Sequence, residues 1–173
     1  MTIKISHIAA IFVLALSALV SLGALAAEES PAFRSTSFPL PRFVSLSSSE
    51  VFVRSGPGSR YPVKWAYHKK ALPVEVILEY EVWRKIRDVD GETGWVHQSM
   101  ISGKRTGMIK SDDKVALRQK PKENGYKIAM LEPRVVVGLE KCQKDWCRIS
   151  ASGYHGWLER SRLWGVYDKE TIE

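Results

Sequence analysis

The feature that most constrains this chain is that it writes one pattern twice. Residues 83–97 read "WRKIRDVDGETGWVH", and residues 146–159 read "WCRISASGYHGWLE". Each stretch runs Trp, two residues, Ile, a polar turn, then Gly-Trp and an aliphatic residue. The correspondence extends upstream. "VFVRSGPGSRYPV" at 51–63 lines up with "VALRQKPKENGYK" at 115–127, and both hold an aliphatic-Arg-x-x-Pro core: Val53-Arg54 to Pro57, and Leu117-Arg118 to Pro121. "LPVEVILEYE" at 72–81 matches "EPRVVVGLEK" at 132–141. A period of about 60 residues is too long for a solenoid and suits a small domain that folds as a unit.

Within each copy, short runs of Val, Ile, Tyr and Trp alternate with Gly, Pro and Asp, and no 3.6-residue period is sustained. That pattern predicts short strands and tight turns, an all-β chain. About five strands are expected per copy. Asp90-Gly91 reads as a tight hairpin turn, because both positions tolerate positive φ, and Gly153 marks the matching turn. Five short strands in some sixty residues hide a core only by curling into a small barrel or crossed sandwich.

The pattern, taken as one ordered series, resembles the bacterial SH3-like family in its exported, two-copy form. The residues that carry it are "PRFVSLSSSEVFVRSGPGSRYPV" and "LPVEVILEYEVWRKIRDVDGETGWVHQSMISG", with aliphatic-Arg-x-x-Pro, Trp-x-x-Ile and Gly-Trp-Val in that order. It covers about 43–103 closely and 110–164 more loosely. In the second copy "RQKPKENG" replaces "RSGPGSRY", which removes two glycines and the Tyr61 equivalent. The resemblance implies two tandem small SH3-like β-barrels that act as binding modules, since relatives attach enzymes or receptors to cell walls or to peptides and do no chemistry themselves.

The expected organisation is a signal peptide at 1–27, a flexible leader at 28–39, a first domain at 40–104, a second at 105–167 and a tail at 168–173. Lys4 precedes an uncharged run from Ile8 to Ala27 that ends in small residues at Ala24, Ala26 and Ala27, the arrangement of a cleaved secretory signal. An uncleaved anchor is the rival, since about twenty uncharged residues would just span a bilayer. Cleavage implies a periplasmic or secreted protein with no stable membrane insertion. The Pro- and Ser-rich leader has no period, although Phe38 to Phe43 is a candidate first edge.

The formal net charge is +7. An exported basic protein does not meet nucleic acid in its normal work. Its anionic partners are cell-wall polymer, lipid headgroups and acidic proteins. The expected partner is peptidoglycan or an envelope protein or peptide; the alternative role is an envelope interaction or oligomerisation scaffold.

Cys142 and Cys147 are the only cysteines, and an even count in an oxidising compartment predicts a disulfide. Aligning Trp83 on Trp146 places Cys142 over Glu79 and Cys147 over Arg84. One hairpin is then held by a disulfide and the other by an opposite-charge pair, expected to be exposed and to contribute roughly 0.2–1 kcal/mol. A cell-wall hydrolase of the Cys/His kind would need an activated thiol on a rigid element, and neither cysteine sits at an evident helix start. The histidines lie too far apart for a metal site. No catalytic residue, cofactor or metal is expected.

Residues three apart on a strand face opposite ways. If Ile86 fills the core, Trp83 points outward; likewise Trp95 alternates with Val96. With Tyr61 and Trp65 nearby, and Arg54, Arg60 and Arg84 around them, these residues form a candidate ligand face suited to a sugar, a peptide or a proline-rich strand. The competing reading is that the tryptophans fill cores and that Arg54 fixes its loop.

Overall fold

A computed structural model describes residues 36–173; the expected signal peptide and most of the leader lie outside the described residues. The first copy contains β1 (Arg42–Leu46), β2 (Val51–Arg54), β3 (Val63–Tyr67), β4 (Pro73–Tyr80), β5 (Trp83–Arg87), β6 (Thr93–His97) and β7 (Ile101–Ser102). The second contains β8 (Thr106–Ile109), β9 (Val115–Arg118), β10 (Lys127–Leu131), β11 (Val136–Gln143), β12 (Trp146–Ala151), β13 (Tyr154–Glu159) and β14 (Leu163–Trp164). Each copy is one antiparallel seven-stranded sheet. The orders, β3-β2-β6-β5-β4-β1-β7 and β10-β9-β13-β12-β11-β8-β14, are the same topology. The fold is all-β with two tandem SH3-like units, as the repeat predicts.

The strand count exceeds the five expected. β7 and β14 are two-residue strands with no period to read, and β1 lies inside the sheet between β4 and β7 rather than at an edge. The turn after β5 also differs from expectation. Only Gly91 takes positive φ there, and residues 88–92 form a longer loop in which the Asp88 carboxylate accepts from the amides of Asp90 and Glu92. Copy two does make the tight turn, with Ser152 and Gly153 both at positive φ.

Each sheet curls around its own core. Copy one packs Val53, Val74, Val76, Ile86 and Val96. Copy two packs Leu117, Val137, Leu139, Ile149 and Leu158 at the matching places. The glycine of each Gly-Trp pair has a steric cause. A Cβ on Gly94 would lie 2.3 Å from a methyl of Val53, and one on Gly156 would lie 2.8 Å from Leu117 Cγ. The strand must pass this close to its neighbour's core residue, so only hydrogen fits.

The hairpin pair anticipated from the alignment is present: Glu79 lies opposite Arg84, and Cys142 opposite Cys147. The cysteines are disulfide-bonded. The charged pair, however, is buried rather than exposed, with Glu79 0% and Arg84 3% accessible. Glu79 accepts from the backbone amide of Thr36 at 2.8 Å and from Arg42 at 2.6 Å, and Arg84 Nε lies 3.3 Å away. Arg84 also donates to the carbonyls of Glu81 and Trp83 and to the Gln98 side chain. The few residues before β1 supply cover that pairwise alignment of the two hairpins does not show.

The copies pack on each other. Phe43 sits edge-on against Trp164 and tilted on Tyr167, with centroids 5.0 and 4.7 Å apart. The Tyr167 hydroxyl donates to Glu75 at 2.8 Å, and Thr106 donates to the Ala71 carbonyl at 2.8 Å. Burial, reinforced by the Glu75 carboxylate, holds the Tyr167 phenol well above its ordinary pKa. Arg134 of copy two pairs with Asp90 of copy one.

Candidate functional site

The loop between β2 and β3 is fixed by backbone hydrogen bonds. The Ser55 amide donates to the Pro62 carbonyl, Gly58 to Gly56 and Tyr61 to Gly58. Arg54 Nη1 closes the loop by donating to the carbonyls of Ser59 at 3.1 Å and Tyr61 at 2.8 Å. Arg54 therefore acts on the loop, and this accounts for the Arg of the aliphatic-Arg-x-x-Pro motif.

The loop presents Tyr61. Its ring lies on Gly56, where a Cβ would meet it at 2.5 Å. Arg60 stacks over the same ring at 5.2 Å from its centroid. The Tyr61 hydroxyl and charge, with Tyr80 close by, raise the pKa of the Arg60 guanidinium further above its ordinary value. Tyr80 in turn lies opposite Trp83 across the β4–β5 turn, and Trp83 opposite His97. The Trp83 and His97 rings meet edge-on at 5.5 Å. Arg60, Tyr61, Tyr80, Trp83 and His97 thus form one connected band on the outer face of copy one.

Three expected members lie elsewhere. Arg84 is buried in its pair with Glu79. Trp65 packs against the copy-one core, although Lys64 sits over its ring at 4.8 Å. Trp95 does point away from Val96, but it is only 8% exposed and lies between Arg54 and Lys85 in the register. A tryptophan on the outer face is no contact surface once its neighbours cover it. Conversely, the sequence reading missed Tyr80 and His97. Tyr80 closes the same turn as Trp83, so the hairpin assignment already held the signal for it. The place of His97 depends on the β5–β6 register.

Copy two keeps the loop and changes the face. Gln119 donates to Tyr126, Lys122 to Lys120, Gly125 to Lys122, and Arg118 Nη1 to the Gly125 carbonyl. These bonds fall at the positions equivalent to those of copy one, where Arg54 adds a further bond to Ser59. Gly125 therefore stands where Tyr61 stands, and Lys120 where Gly56 does. By the same registers Asn124 replaces Arg60, Gln143 replaces Tyr80 and Glu159 replaces His97, leaving Trp146 alone of the band. Among the described residues no cluster of three His, Cys, Asp or Glu side chains is placed to hold a metal.

Two packed seven-stranded β-units, each tying the loop after its second strand with an arginine, define a tandem small-β-barrel class of protein. The chain belongs to the bacterial SH3 domain family, whose model matches residues 47–103 and again residues 111–165. Among solved structures it is similar to NlpC1 and NlpC2 from Trichomonas vaginalis, each at 13% identity. It aligns over 75% and 74% of its own length and 47% and 49% of theirs, with TM-scores of 0.34 and 0.33. The chain spans about half the length of those structures. No curated protein matches it.

Proposed function

We propose that this protein is a non-enzymatic binding module of the cell envelope, periplasmic or secreted, that contacts peptidoglycan or a wall-associated peptide through copy one. The observation that carries the proposal is the band itself: Tyr61 braced by Arg60, Tyr80 beside them, and Trp83 with His97. Flat rings beside a guanidinium suit the apolar face of a sugar or an extended peptide with an acidic group. A loop already tied by Arg54 costs little ordering on binding. Membership of the bacterial SH3 family supports the reading. Both cysteines are joined in the disulfide, so neither supplies the thiolate that a Cys/His hydrolase would require.

Pull-down with purified sacculi tests the proposal. The wild-type chain is retained at low salt. Trp83→Ala and Tyr61→Ala each weaken retention about tenfold, the usual cost of an aromatic anchor, while Trp146→Ala leaves it unchanged. Retention that survives both copy-one substitutions removes the assignment. A stable oligomer with no retention favours the envelope scaffold instead.

A further inference from the structure

We propose that the β9–β10 end of copy two is a docking surface for a lipid bilayer that carries anionic headgroups. The loop and its flanks contain Lys120, Lys122 and Lys127, all exposed, and no ion pair or side-chain hydrogen bond joins them to any described residue. Glu123 is the one acidic residue between Arg118 and Lys127. Beside these cations Tyr126 is 76% exposed, and further along the edge strand β10, opposite Ala116, Met130 is 51% exposed. Tyr154, 53% exposed, opens β13 directly after the β12–β13 turn. That turn lies at the same end of the sheet, because β13 runs antiparallel to β9 with Trp157 opposite Arg118.

The equivalent end of copy one shows what is different. There the cations fold back onto rings of their own copy, Arg60 onto Tyr61 and Lys64 onto Trp65. The neighbouring turn carries Asp88, Asp90 and Glu92, where copy two has Ser, Gly, Tyr and His. Copy two has no acidic residue in that turn, carries lysines where copy one has Gly56, Gly58 and Val63, and presents Tyr126 and Tyr154 to solvent. A soluble acidic chain would call for the cations alone. Cations interleaved with Tyr and Met fit a planar interface, where lysines reach headgroup phosphates and a tyrosine ring settles at headgroup depth.

The test is co-sedimentation of the full chain with vesicles of phosphatidylcholine alone and of phosphatidylcholine with phosphatidylglycerol. The ratio of the two partition coefficients cancels any contribution from the apolar segment at 8–27. The ratio is large at low salt and falls about a hundredfold in the triple variant Lys120→Gln/Lys122→Gln/Lys127→Gln. It falls several-fold in Tyr126→Ser. The charge-matched control Lys69→Gln/Lys70→Gln/Lys104→Gln in copy one changes it little, and Trp83→Ala not at all. A ratio near one overturns the proposal. So does an equal loss in the control, which would mark a general charge effect. So does capture by soluble poly(glycerol phosphate) with the same lysine dependence and no effect of Tyr126→Ser, which would assign the surface to an acidic polymer.

Discussion

The two copies solve one structural problem with different chemistry. At the β4–β5 hairpin copy one buries a carboxylate under two guanidiniums and the Thr36 amide. At the β11–β12 hairpin copy two joins the same two positions covalently and bridges Cys142 to the backbone of Ile172. Each solution draws in a segment that flanks its sheet. Residues 36–42 cover Glu79, and residues 167–172 cover the disulfide, held there by Arg160, which donates to the carbonyls of Lys144, Tyr167 and Glu170. The same buried hairpin position thus holds a hydrogen-bonded charge pair in one copy and a cross-link in the other. An unpaired charge there would meet the full cost of desolvation.

Removing one partner of the pair is the strongest way to break this comparison. Glu79→Ala leaves Arg84 buried without its carboxylate and should cost about 3–5 kcal/mol. Hydrogen exchange resolved by copy should show the loss in β4 and β5 while β11 and β12 stay protected. The double variant Glu79→Cys/Arg84→Cys sharpens the test. The register matches that of Cys142 and Cys147, so it should oxidise and recover part of the loss; a failure to oxidise would show that the two hairpins are not interchangeable.

Acid probes the same difference without mutation. Burial alone would raise the Glu79 pKa, but hydrogen bonds from Thr36 and Arg42 and the charges of Arg42 and Arg84 outweigh it and set the net shift downward. A carboxyl depressed in the folded state contributes stability that is complete above its unfolded pKa, about 4.3. That stability is lost as pH falls through the lower folded value. Copy one should therefore loosen at β4–β5 below about pH 4, while the β11–β12 hairpin, cross-linked, keeps its protection. Equal acid sensitivity of the two hairpins would contradict this.

Reduction runs the comparison in the other direction. Opening the Cys142–Cys147 ring should cost copy two about 2 kcal/mol in the loop-entropy picture. It should also speed exchange at the Ile172 amide, which donates to the Cys142 carbonyl. Copy one should be unaffected. The smallest effect belongs to the loops. Gly56→Ala pushes a methyl into the Tyr61 ring and should cost about 1 kcal/mol by overpacking. Adding Tyr61→Gly, the residue that copy two has there, should relieve that cost, read as recovery of the denaturation midpoint.

Much of this architecture is legible in the residues. The repeat of Trp-x-x-Ile and Gly-Trp, and the alternation of Val and Ile around it, leads to two small β-units. Aligning Trp83 with Trp146 leads to the two hairpin pairs. Trp65 was not legible as a core residue. It fills the space beside Val53, where copy two pairs Leu117 with Ala129; the bulk has moved from one strand to the next, and only the register reveals the exchange. The candidate band was legible in part, since Trp83 is outward by alternation and Tyr61 follows a Gly-rich loop, but Trp95, outward by the same alternation, is covered.

The number of units, their strand character and the equivalence of positions 79 and 84 with 142 and 147 follow from the residues alone, because side-chain periodicity and repetition are local properties of the chain. Only the folded arrangement settled which of those positions are dry, which rings face solvent and how the segments before β1 and after β14 cover the hairpins. Burial is set by what arrives from far along the chain: Thr36 at Glu79, Ile172 at Cys142 and Tyr167 at Glu75. No local pattern encodes those encounters.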